Sequence, residues 1–90
     1  MKSYLILLKL NADENSYFSL TNYLKTANYW ARPMPNVWII KTNLNSAQIR
    51  DGITEHLGMF DKLLVVSGNS DDWATLRLDQ TINDWLKNNL

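Results

Sequence analysis

Cysteine is absent from this chain. That removes disulfides, thiolate metal sites and a cysteine nucleophile together, and fits a reducing compartment. An excess of charge is missing too: nine Lys and Arg balance nine Asp and Glu. No long-range field then draws the protein to nucleic acid or an anionic membrane, so any phosphate contact must be local. There is one histidine, so a single chain holds no histidine pair for acid and base work. No Pro-, Gly- or Ser-rich linker, repeat or low-complexity tract divides the sequence. The apolar N-terminal run is broken at Lys9 and again from Asn11 to Asn15. It is far short of a membrane span and no small-residue cleavage site follows. These absences predict one cytoplasmic domain over residues 1–90, with no membrane partner. Domains of this size bury about two thirds of the unfolded chain's surface, so the core is adequate but thin, and a partner could usefully cover more.

What is present is a run of amphipathic elements. Residues 3–10 alternate as a strand. After the polar stretch NADENS, Asn15 or Ser16 can cap a helix whose stripe is Tyr17, Leu20, Leu24 and Ala27. Residues 29–34 and 37–42 are rich in aromatic and β-branched residues, and Pro33 with Pro35 marks their turn and an edge. Asn45 and Gln48 are spaced as a capping box. Ile49, Ile53 and Leu57 then recur every four residues until Gly58, which offers a left-handed stop. Residues 62–67 read as a fourth strand and 75–78 as a short fifth. From Asp79 a closing helix carries Ile82, Trp85 and Leu86. The order predicts an α+β fold of the ferredoxin-like split βαβ kind (βαββαβ). Its antiparallel sheet has helices on one face, with a short C-terminal strand and helix added.

Alternation splits each strand into two faces. Tyr4, Ile6 and Leu8 oppose Leu5, Leu7 and Lys9; Trp38 and Ile40 oppose Val37, Ile39 and Lys41; Leu63 and Val65 oppose Lys62, Leu64 and Val66. The lysine-bearing sets belong to the face away from the helices. That face still presents Leu5, Leu7, Val37, Ile39, Leu64 and Val66, an apolar patch that soluble monomers rarely leave in water. A second copy in a two-fold dimer would cover it. The competing cover is the closing helix of the same chain, through Ile82, Trp85 and Leu86.

Lys9 and Lys62, with Arg32, are expected at one rim. A rim lysine can simply lay its stem on apolar surface and blunt an edge; the functional alternative is a small phosphate-binding cluster. His56 reads as a helix C-terminal residue rather than a catalyst. Asp51 and Glu55 share a helix face as a solvated pair, and Asp71 and Asp72 fit a turn better than a metal site. Tyr29, Trp30 and Trp38 could stack bases, but core packing is the expectation because Trp38 falls in the helix-covered set. No phosphate-cradling glycine loop, Ser-His-Asp arrangement or zinc-ligand spacing is visible.

The ordered blocks YLILLKLN, NYWARPMPNVWIIKT, QIRDGI, DKLLVV and NDWLKNNL resemble the small SinR family proteins. These are similar in turn to the CRISPR-associated Cas-two proteins, which are ferredoxin-like homodimers that hold DNA and in some members cleave nucleic acid with a metal. The resemblance implies a homodimer that binds nucleic acid or a protein partner. In that family the first strand usually ends in an acidic residue, the proposed metal ligand, followed by Leu and Asn. Here Lys9 stands before Leu10 and Asn11. An ammonium has no lone pair and repels a cation, so this departure predicts a protein without catalysis and without cofactor. Two alternatives stay open. One is a magnesium- or manganese-dependent endoribonuclease using Asp13, Asp71 or Asp72, although four extended residues span roughly 13 Å, so only a folded-back loop brings Asp13 to the Lys9 position. The other is a mobile-element regulatory or inhibitory module.

Overall fold

The structure, a computed structural model, describes residues 1–90 with the side chain of Glu14 left out. Strand β1 runs Lys2–Lys9. A 3-10 turn over Glu14–Tyr17 leads into helix α1, Phe18–Leu24. Strands β2, Tyr29–Met34, and β3, Val37–Thr42, form a hairpin, followed by helix α2, Ser46–Thr54, strand β4, Lys62–Ser67, and helix α3, Gln80–Asn89. The four strands form one sheet in the order β2-β3-β1-β4, with every pairing antiparallel. This is a small α+β fold consistent with the ferredoxin-like arrangement. No helix is long and apolar enough to cross a membrane among the described residues.

Alternation decides the core. Tyr4, Ile6, Trp38 and Ile40 from the central strands meet Leu20 and Leu24 of α1 and Ile49 and Ile53 of α2, all buried. Leu63 and Val65 of β4 pack against this cluster. Each large aliphatic or aromatic group so buried contributes about 1.5–3 kcal/mol. The lysine-bearing face is therefore the one turned away from α1 and α2.

Local chemistry sets the helix ends. The Asn45 side chain accepts from the Gln48 N–H at 2.8 Å while the Gln48 side chain accepts from the Asn45 N–H at 2.9 Å, closing the capping box. Gly58 is not the left-handed stop expected, since no glycine has positive φ. The end of α2 instead tightens through His56 N–H to the Ile53 carbonyl at 2.9 Å and Leu57 N–H to the Thr54 carbonyl at 3.1 Å. At α1 the chain enters through Asp13, whose carbonyl accepts from the Ser16 N–H at 3.1 Å. Neither Asn15 nor Ser16 is the cap.

The fifth strand expected at 75–78 is not formed, and residues 68–79 carry neither helix nor strand. Arg77 has φ 60, a left-handed conformation that interrupts an extended run. The Thr75 hydroxyl donates to Asn83 Oδ1 at 2.8 Å and Asn83 Nδ2 donates to the Leu78 carbonyl at 3.4 Å. Those bonds tie the segment to α3 rather than to the sheet.

Candidate interaction surfaces

At the end of β1, Lys9 pairs in register with Lys62 at the start of β4, and both side chains are exposed. Like charges directly across a ladder repel. Neither ammonium has an ion-pair partner among the described residues. One step along the same face, Leu7 pairs with Leu64, then Leu5 with Val66. Leu7 is 37% exposed, Leu64 56% and Val66 42%. They form an apolar strip beside two unneutralised cations, Leu7 on the central strand β1 and Leu64 and Val66 on the edge strand β4, which contains no proline.

The rest of the expected patch is not open. Ile39 is buried, and Leu5 and Val37 are half-buried. The C-terminal segment folds over this half of the face. Leu86 is buried, and the Ser3 hydroxyl donates to the Asn89 carbonyl at 3.0 Å. A cavity of about 420 Å³ remains between Leu5, Val37 and Ile39 on one side and Trp73, Leu78, Leu86 and Leu90 on the other. The six-residue patch is thus divided: the chain's own tail covers the β2–β3 side and leaves Leu7, Leu64 and Val66 outside.

Arg32 does not join the lysines. It lies on β2 in the helix-facing register, its guanidinium 4.9 Å from the Trp38 ring centroid and donating twice to the Pro35 carbonyl, at 3.0 and 2.8 Å. Lys9 and Lys62 lie on the opposite face.

The acidic candidates stand apart. Asp13 follows β1, and its carboxylate accepts from the Ser16 hydroxyl at 3.3 Å. Asp71 and Asp72 lie past Ser67, which pairs with Tyr4 at the other end of β1. Ser70 Oγ accepts from the Asp72 N–H at 3.0 Å, a local turn. No group of three metal-binding side chains occurs among the described residues. The donors at the Lys9 end do not fit a divalent cation: the site offers an ammonium and a carboxylate, Asp61, whose oxygens are already engaged.

Asp61 has a role that its local sequence does not signal. Its Oδ1 accepts from the Asn11 N–H at 2.8 Å and the Tyr17 hydroxyl at 2.7 Å, and its Oδ2 accepts from the Gly58 N–H at 2.7 Å. Tyr17 Oη accepts in turn from the N–H groups of Asn11 and Ala12. The Gly58 N–H foremost, with the Tyr17 hydroxyl and Asn11 N–H, holds the Asp61 carboxyl below its usual range against some desolvation. The clamp fixes the end of β1 to the loop before β4. His56 sits behind that loop, its Nδ1 3.0 Å from the Ser19 hydroxyl and its ring 5.1 Å from that of Tyr23. Asp51 pairs with Arg50 at 2.9 Å rather than acting with Glu55.

The aromatic trio divides. Trp38 is in the core at 1% exposure, whereas Trp30 is 38% and Tyr29 50% exposed. Lys25 Nζ lies 5.4 Å from the Trp30 ring centroid and Lys41 Nζ 5.9 Å from that of Tyr29. Core packing therefore accounts for one ring, not three. A signal for this surface was available in the sequence: residues 15–50 contain Lys25 and Lys41 and no acid at all.

In comparisons with known proteins, no family model, no curated protein and no solved structure matches this chain.

Proposed function

We propose that the chain acts as a homodimer of the Cas-two-like kind, ferredoxin-like in topology, that binds nucleic acid without cutting it. The observation that carries this reading is the exposed strip of Leu64 and Val66 on the edge strand β4 with Leu7 beside them on β1, ending in the register pair Lys9 and Lys62. An exposed edge without proline or bulge invites another strand, and a second copy supplies an identical aliphatic surface. The paired ammonium groups repel each other in the free protein, so an anionic backbone laid across them relieves the repulsion. Two-fold symmetry doubles that set to four cations per dimer.

Duplex binding measured against salt tests this. Lys9→Glu removes two cations per dimer and reverses their sign, so affinity should fall and the salt slope should flatten by about two. Binding indifferent to Lys9→Glu and Lys62→Glu contradicts the rim assignment. No binding of any nucleic acid at low salt leaves the dimer to a protein partner.

A further inference from the structure

We propose that the β2 edge is a second site, and that its ligand is single-stranded nucleic acid. The inference shares with the reading above only the class of partner; surface, residues and strand form are different.

Three observations converge on this edge. Tyr29 and Trp30 are neighbours on β2, the outermost strand on its side of the sheet, so their side chains leave on opposite faces. Both are substantially exposed. Each ring has an ammonium within 6 Å of its centroid, Lys25 beside Trp30 and Lys41 beside Tyr29. The segment from residue 15 to residue 50 contains no acid, and neither lysine has an ion-pair partner among the described residues.

The chemistry distinguishes ligand classes. A protein strand adding to this edge would need continuous ladder hydrogen bonds, but Pro33 lacks an N–H and the register shifts between Ala31 and Met34. Duplex nucleic acid hides the faces of its bases, so exposed rings gain little from it. A single strand offers unstacked bases and regularly spaced phosphates, matching a ring with a cation beside it. On binding, a base takes the ring face and the displaced ammonium turns to the adjoining phosphate. Trp30 is braced for this from behind, its ring 5.6 Å from that of buried Trp38.

Fluorescence anisotropy with a labelled oligouridine, and separately a labelled duplex, tests the site on the intact chain at low salt. Trp30→Ala should weaken the single-strand complex about tenfold or more, the loss of one stacked base, while Trp30→Phe stays within about threefold. The double variant K25E/K41E should weaken it by a similar factor and the duplex complex much less. K9E/K62E should leave oligouridine affinity within about twofold. The site is overturned if the parent chain fails to bind oligouridine, if K25E/K41E and Trp30→Ala bind like the parent, or if only K9E/K62E abolishes binding. In that last case the rim of the preceding proposal stands while this edge does not. Oligouridine binding lost in K25E/K41E, alongside duplex binding unmoved by K9E/K62E, has the opposite meaning: the edge stands and the rim falls.

Discussion

Asp61 joins Asn11, Tyr17 and Gly58, which come from the end of β1, the turn before α1 and the turn before β4. Its carboxyl titrates below the usual range when folded, so the unfolded chain takes up this proton first. The stabilisation is complete above the ordinary carboxylate range and is lost as pH falls through the unfolded and then the folded value. Asp61→Asn should therefore lower the melting temperature at neutral pH and flatten the acid limb below about pH 4. An acid limb identical to the parent's would show the clamp to be ornamental. Tyr17→Phe removes the hydroxyl that serves Asp61 and two backbone N–H groups, and should cost about 1–2 kcal/mol by denaturant titration. Those contacts join residues 44 and 50 positions apart, and nothing in the local pattern around Asp61 announces them. The Asn45 and Gln48 box was legible because both partners fall within one turn. Lys9 was legible through its alternation, which fixed its face; its register partner Lys62 required the paired strands.

At the scale of elements, helix faces and strand faces followed the 3.6 and 2.0 periods, so the core of α1, α2 and the central strands was readable in outline. The segment from 75 to 78 reads as a strand because Thr75 and Leu76 suit one, whereas Arg77 at φ 60 interrupts the extended run and the side-chain bonds to Asn83 tie the segment to α3. α1 and α2 approach closely at Gly52, where an added Cβ would meet Tyr23 Cζ at 2.7 Å. Alanine is the better helix former by about 1 kcal/mol. Even so, Gly52→Ala should destabilise by about 1–2 kcal/mol, because the ring must shift from its place between the helices and beside His56; a gain in stability would show that Tyr23 moves freely. The tail helix is held to the sheet through Leu86, at 4% exposure. Leu86→Ala should cost about 2–4 kcal/mol and raise hydrogen exchange in α3 above that in α2. Equal exchange in the two helices would mean the tail is not a separately released unit.

For the whole molecule, the two sheet edges are chemically unlike. β2 carries a proline, a register shift and two exposed rings with cations; β4 carries an aliphatic strip and no proline. The tail leaves Leu64 and Val66 of β4 exposed on the back face, and the pairing proposed above would form there. Sedimentation equilibrium at micromolar concentration, run on the parent chain and on Leu64→Glu, tests that pairing most directly. Leu64 is already 56% exposed, so the substitution leaves the core untouched. The account predicts a mass of twice 10.5 kDa for the parent and a single-chain mass for the variant. A parent that sediments as one chain throughout, or a Leu64→Glu variant that pairs as well as the parent, contradicts it.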